Sequence, residues 1–372
     1  MTRVLIVKMS SMGDVIHTLP AITDAKRALP EIEFDWVVEP GFAEIPKWHP
    51  AVKEVVELPF RRWRKQPWQT FKQGMLGTFL RQLRQNKYDR IIDAQGLMKS
   101  ALITWFAKGR SFGPDFHCAR EPFASLAYQQ KVRIAKVTEQ HAVVRMRQLF
   151  AKVLNYPLPE TPADYGIDKS KLASISYGDN VIIFLHGTTW PTKHWPQNYW
   201  QELGVLVAKA GYKILLPWGN EIEHTRAQSI YDFVKQSGAE VLPQVLPKST
   251  LSEVTSLIAK AKGVVAVDTG LGHIAASMAT PTVSLYGPTD PILTGAHGPS
   301  QVHLSSDFSC APCLSRKCRH GPDLEIMPPC FTRLPPEKVW QALQKAISEQ
   351  FVFVPSKVNV KKTHEHLDVV TE

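Results

Sequence analysis

The sequence predicts an α/β protein with parallel sheets in two domains, on three observations. Residues 264–290 pass from an apolar stretch (264–267) through Asp268-Thr269-Gly270 and a small-residue helix beginning near His273 to a second apolar stretch (282–285). Strand, tight turn, helix, strand is the unit from which parallel sheets are built. A further apolar strand at 181–185 opens a new series after a proline-stiffened segment, 156–162. The chain's 372 residues also exceed what one core of ordinary size organises. The expected boundaries are an N-terminal domain over 1–160, a C-terminal domain over 161–350 and a disordered polar tail over 351–372.

Composition narrows the class. Hydrophobic residues make up 44% of the chain, as in a globular protein. No apolar run reaches the roughly 20 residues of a membrane span. The N-terminal residues lead straight into a strand without a leader pattern, so a cytosolic location is expected. A net charge of +10 calls for an anionic partner: nucleic acid, an acidic membrane surface or an acidic substrate.

In the first half, 4–7 is a strand, Ser10 to Asp14 a turn, and 15–29 a helix on the spacing of Ile16, Leu19, Ile22 and Ala25. Asp14 stands at the strand-to-helix junction, where its simplest role is an N-cap. The loop lacks both G-x-G-x-x-G and G-K-[ST], which argues against dinucleotide-binding and P-loop proteins. Strands follow at 34–38 and 52–58. Segment 60–72 then breaks the pattern: Arg61, Arg62, Arg64, Lys65 and Lys72 alternate with Phe60, Trp63, Trp68 and Phe71. Four cations within five residues repel one another and would be relieved by an anion. The segment reads either as a solvated helix face or as a site for an anionic lipid or polyanionic acceptor. No nucleic-acid-binding module pattern accompanies it, so nucleic acid is not the expected partner. The strand beginning at Tyr88 carries Asp93 and Gln95 to its C-terminal end, Lys99 opens the next helix, and a helix over 140–153 closes the domain.

In the second half, the strand at 181–185 runs into a loop holding Thr188, Thr189 and Lys193, where hydroxyls, a glycine and a lysine suit a phosphate. A helix at 199–210 and a strand at 212–216 lead to Glu221 and Glu223, where a carboxylate is placed for a ribose or sugar hydroxyl. A helix at 251–261 leads back to the 264–290 unit. There the N–H groups at Thr269 and Gly270, aided by the helix dipole, favour an anion, and Gly270 admits it close to the main chain. His273 is suited either to bond a phosphate oxygen or to pack beneath the turn. A last helix is expected over 335–350. Cys310, Cys313, Cys318 and Cys330 crowd one loop. Their irregular second pair favours reduced thiols or a local staple over zinc, so no metal is assigned.

VLIVKMSSMGDVIHTLPA, IIDAQGLMKSA, TKHWP, LPWG, VDTGLGHIAA and YGPTDP, in that order over roughly 3–305, resemble glycosyltransferase family 9, the lipopolysaccharide heptosyltransferases. The resemblance implies a GT-B fold, two facing Rossmann-like domains with parallel sheets and a cleft between them. It implies inverting transfer of L-glycero-D-manno-heptose from ADP-heptose to the Kdo of Kdo-lipid A, with no cofactor beyond the donor. Asp14 then looks like the general base. Thr188, Thr189, Lys193, Glu223, Asp268, Thr269, Gly270 and His273 match donor-binding positions, and Ser249 stands where a relative has methionine against the adenine. Arg61, Arg62, Arg64, Lys65 and Arg120 look like the acceptor-binding cations. The implied place is the cytoplasmic face of the inner membrane, reached through segment 60–72. Segments 10–17 and 93–101 look like those of the enzymes adding the first heptose, whereas the cysteine-rich loop looks more like that of the enzymes adding later ones. A later-heptose transferase and a non-catalytic nucleotide-sugar-binding protein remain the alternatives.

Overall fold

A computed structural model describes residues 2–320, 324 and 326–349. The first half contributes β1 Thr2–Val7, β2 Ile32–Val38, β3 Val52–Glu57, β4 Lys87–Asp93, β5 Lys108–Pro114 and β6 Gln130–Val132. The second contributes β7 Val181–Leu185, β8 Lys213–Leu216, β9 Gln244–Val245, β10 Gly263–Val267, β11 Thr282–Tyr286 and β12 Gln301–Ser305. The strands form two sheets, in the orders β3-β2-β1-β4-β5-β6 and β12-β11-β10-β7-β8-β9. Every neighbouring pair is parallel. The first sheet has the doubly wound order 3-2-1-4-5-6, and its direction of winding reverses between β1 and β4. The second reverses in the same way between β7 and β10. Ligand crevices of such sheets open beyond the strand C-termini at those two places.

Strand periodicity explains why these apolar runs are almost unbroken. Along β1, Val4 and Ile6 enter one core while Leu5 and Val7 enter another. Along β7 and β10, Ile183 and Val264 face the first of these cores, while Phe184 and Val265 face a third. Both faces of each sheet are therefore covered, and alternation of polar and apolar residues is lost. The first core runs through both halves, joining Trp36 and Phe150 to Ile258 and Ile274.

Several expectations need correction. The helix expected over 15–29 is two helices, Met12–Ile16 and Leu19–Ala28. Asp14 is therefore not the N-cap but the third residue of the first one, and Ser11 is the cap. The helix placed near His273 begins earlier, at Gly270. Helices Met75–Leu83 and Glu221–Gln236 and strands β5, β6, β9 and β12 go beyond the elements expected from sequence. Helices Ala142–Leu154 and Pro336–Ser348 match expectation within two residues at each end. The tail at 351–372 and Gln350 lie outside the described residues. Among the described residues no helix is long and apolar enough to cross a membrane.

Candidate active site

The polypeptide after β1 is held by the loop after β4. Gln95 Oε1 accepts from the N–H groups of Met9 and Ser10 at 2.9 and 3.2 Å, and its Nε2 donates to Ser10 O at 2.6 Å. Asp93 fixes that second loop in turn, accepting from the N–H groups of Gln95 and Gly96 and from the Tyr128 hydroxyl at 2.8, 2.9 and 2.7 Å. Burial pushes the Asp93 carboxyl up in pKa. Its work is orienting, at the base of the loop.

On this platform sits Asp14. The N–H and Oγ–H of Ser11 donate to its Oδ2 at 2.9 and 3.0 Å. Lys8 Nζ lies 3.6 Å from Oδ1 and Arg120 NH1 3.7 Å from Oδ2. Burial raises the carboxyl's pKa, but Lys8, Arg120 and the two Ser11 hydrogen bonds reverse this and hold it below its ordinary value. Lys8 itself is buried, donates to Ala94 O at 2.8 Å, and has its pKa lowered by desolvation despite Asp14. The Asp14 side chain keeps 23% of its surface exposed, so an ionised acceptor oxygen is available to a ligand.

The second half brings together the loops after β7 and β10. Lys193, ending the 3-10 turn Pro191–Lys193, places Nζ 2.6 Å from Asp268 Oδ2 and 4.5 Å from the Trp190 ring centre. The Thr289 hydroxyl donates to the same oxygen at 2.7 Å, and Thr188 Oγ donates to the Asp268 carbonyl at 2.9 Å. Thr269 is the extended cap residue of the helix Gly270–Ser277. Glu223 sits in the first turn of the helix Glu221–Gln236, accepts from Gly219 N–H at 2.7 Å, and lies so close to Gly187 that a Cβ there would come 2.5 Å from Oε1. Thr189 is exposed in the loop between Thr188 and Lys193. Ser249 stands apart, bonded to its own turn through Pro247 O at 2.9 Å.

The two switch-point regions touch. A Cβ added to Gly13 would fall 2.6 Å from His273 Cδ2, and one added to Gly270 would fall 2.6 Å from Met12 Sδ. His273 Nδ1 lies 3.1 Å from His17 Nε2, so this nitrogen faces the other half of the chain. Around the pair, His17 meets the His141 ring at 5.2 Å between centres, and His141 stacks on His297 at 4.8 Å.

Of the expected cations, Arg120 alone contacts Asp14. Arg61, Arg62, Arg64 and Lys65 lie on the helix Phe60–Lys65, which has no buried residue, and Arg61 covers the Phe42 ring. All five cysteines are free, and burial with three neighbouring thiols pushes Cys330 up to about 12. Among the described residues no group of three or more His, Cys, Asp or Glu side chains is arranged to hold a metal. Sequence reasoning missed Lys8, His17 and Thr289. It also missed Arg316, which lies over Trp190 at 4.8 Å on the side of the cysteine-rich loop.

The model of glycosyltransferase family 9 (heptosyltransferase) matches residues 76–323. Lipopolysaccharide heptosyltransferase 1 of Pseudomonas aeruginosa is 50% identical over 352 residues, covering 92% of this chain and 97% of that protein. The solved Escherichia coli heptosyltransferase WaaC with ADP superposes with a TM-score of 0.81 at 42% identity, over 93% of this chain and all of that one. WaaC with ADP-2-deoxy-2-fluoro heptose gives 0.78 at 41%, over 92% and 99% of the two chains. Two doubly wound sheets whose switch-point loops meet, with the Asp14 carboxylate on one side and the Lys193 ammonium on the other, together with these similarities mark a glycosyltransferase of the GT-B type. The chain belongs to glycosyltransferase family 9, the heptosyltransferases.

Proposed function

We propose that the chain transfers L-glycero-D-manno-heptose from ADP-heptose to the Kdo of Kdo-lipid A, with inversion at the anomeric carbon. The observation that carries this reading is the partly exposed Asp14 carboxylate between two cations, at the edge that meets the 268–273 turn. The acceptor hydroxyl attacks the anomeric carbon from the face opposite ADP. As the new C–O bond forms, the bond to the diphosphate breaks and its electron pair goes to the β-phosphate oxygen. Asp14, within about 3 Å of the hydroxyl, takes the proton. Lys193 and the N–H groups at Thr269 and Gly270 stabilise the charge gathering on the diphosphate. Asp268 holds the Lys193 ammonium in place beforehand, and Thr289 steadies the same carboxylate oxygen.

Thr188, Thr189 and Glu223 complete the donor side. Ser249 contributes through its backbone, since its hydroxyl is engaged locally. His273 positions the donor loop through His17. Arg61, Arg62, Arg64, Lys65 and Arg120 meet the anionic acceptor, whose lipid keeps the enzyme at the cytoplasmic face of the inner membrane through segment 60–72. Similarity to a type 1 enzyme and to structures holding ADP and an ADP-heptose analogue supports this reading. Incubation with ADP-heptose and heptose-free Kdo-lipid A, followed by mass spectrometry, should show one added heptose. Product formed only from an acceptor already carrying a first heptose would favour a later-heptose transferase.

A further inference from the structure

The helix Met98–Phe106 presents an apolar stripe to solvent rather than to a core. Its buried side is Ser100, Ala101, Ile103 and Thr104. Its outer side is Met98, Leu102, Trp105 and Phe106, exposed by 51, 48, 75 and 41%. Spacings of four and three place Met98, Leu102 and Trp105 on one face. This inverts the ordinary pattern of a surface helix. The adjoining 3-10 turn Pro122–Ala127 adds Phe123 and Leu126, exposed by 65 and 71%. Ala101 packs with Ala124 and Tyr128 beneath them, and Met98 N–H donates to Glu121 at 2.7 Å, so helix and turn form one unit.

That unit adjoins the basic segment. Lys99 Nζ lies 5.5 Å from the Phe60 ring centre, tying the apolar helix to the helix Phe60–Lys65 with its arginines and lysine. Trp68 and Phe71, each 78% exposed, follow in the helix Pro67–Lys72. Large apolar side chains beside a dense cationic helix match the composition of surfaces that sit in the interface of an anionic bilayer. Arg120, against Asp14, lies two residues before the turn.

We infer that the helix Met98–Phe106 and the turn Pro122–Ala127 form an apolar foot that enters the interface of an anionic phospholipid bilayer, next to the cationic helix Phe60–Lys65. This rests on the reading that the acceptor is membrane-borne. Cations of the 60–65 helix attract the surface at long range, and the foot supplies the part of binding that salt does not screen. The foot then holds the Asp14 edge against the lipid plane, where an acceptor headgroup arrives.

The test is flotation of the full chain with acceptor-free vesicles of phosphatidylcholine and phosphatidylglycerol, beside the double variant Trp105→Ser, Leu126→Ser. Both side chains are exposed, so folding should survive, and thermal unfolding checks this. The variant should lose vesicle binding by about tenfold or more at salt of about 0.5 M, where surface charge is largely screened. Its turnover on a deacylated, water-soluble Kdo acceptor should stay at the wild-type level. The inference is overturned if the wild type does not float, or if the variant floats equally well. It is also overturned if the variant loses only self-association in sedimentation velocity, which would make the face a protein interface. Absence of wild-type turnover on Kdo-lipid A itself would instead refute the proposed activity and leave the flotation result standing by itself. Phe123→Ser supplies an independent second variant with the same expectations.

Discussion

His17 Nε2 and His273 Nδ1, 3.1 Å apart, join the polypeptide beyond the first sheet to a helix beyond the second. The groups facing them are His141, His297 and His303, with Lys8, Asp14, Asp268 and Lys193 nearby. Burial lowers the pKa of His17, His141 and His273; neighbouring imidazoles add to this at His17 and at His141, which is brought down to about 3, whereas Asp268 and Asp14 oppose it at His273. An unfolded histidine takes a proton below about 6.5, while the folded cluster does not. The stability these groups contribute is therefore full above pH 6.5 and is lost progressively as pH falls toward about 3 for His141. Thermal unfolding should show a falling melting temperature between about pH 6.5 and 5, before carboxylates titrate. His49, His186 and His194, brought down by burial to about 4, 3 and 4, add to the same slope, so His141→Gln should lessen it, and an equal slope in the variant would remove His141 as a cause.

Gly13 gives the same contact its closeness. With alanine there, Cβ would stand 2.6 Å from His273 Cδ2, so the ring must leave its place or the helices must separate. Overpacking of this kind costs about 1–3 kcal/mol. Gly13→Ala should lower kcat by about tenfold or more while ADP affinity, measured by calorimetry, stays within a few-fold. Unchanged kcat would show that turnover does not need the two helices in contact.

Much of this arrangement is written locally and some of it is not. The run 181–185 is read correctly to the residue because it is apolar throughout and ends at turn formers. β5, with the sequence KGRSFGP, escapes because glycine, proline and charge hide a strand whose place is set by β4 beside it. The helix Glu221–Gln236 is mostly polar, yet Ala227, Ile230 and Val234 sit three and four apart and are its buried face. Ser11-x-x-Asp14 is a capping-box spacing, which identifies Ser11 as the cap without any structure. Nothing local marks Lys8 as buried beside Asp14, or pairs His17 with a residue 256 positions away. The apolar composition of 98–106 suggests a core helix, and only the fold reveals that its apolar side faces outward.

Lys8 sets the acidity of the carboxylate it faces. Burial raises the Asp14 pKa, and the Lys8 ammonium does most to bring it down. Lys8→Met should therefore raise the Asp14 pKa and move the acid limb of kcat/KM to higher pH. A shift of one unit corresponds to about 1.4 kcal/mol of lost interaction. A limb that stays in place, or moves to lower pH, would mean that another group controls it.

Lys193 and Asp268 are each only 15% exposed, so their 2.6 Å pair is poorly screened. Lys193→Ala removes the cation proposed for the diphosphate and leaves the Asp268 carboxylate without its ammonium, with Thr289 still bonded to it. Losing one member of a buried charge pair typically costs about 2–5 kcal/mol. ADP should bind at least tenfold more weakly in calorimetry. Asp268→Asn should weaken it less, because the ammonium remains.

The central claim is that Asp14 takes the proton from the acceptor hydroxyl. The most direct measurement is single-turnover heptose transfer from ADP-heptose to Kdo-lipid A by Asp14→Asn, with ADP affinity determined on the same preparation. The account predicts wild-type-like ADP binding and a rate reduced by about two orders of magnitude or more. Transfer at a near-normal rate would contradict it.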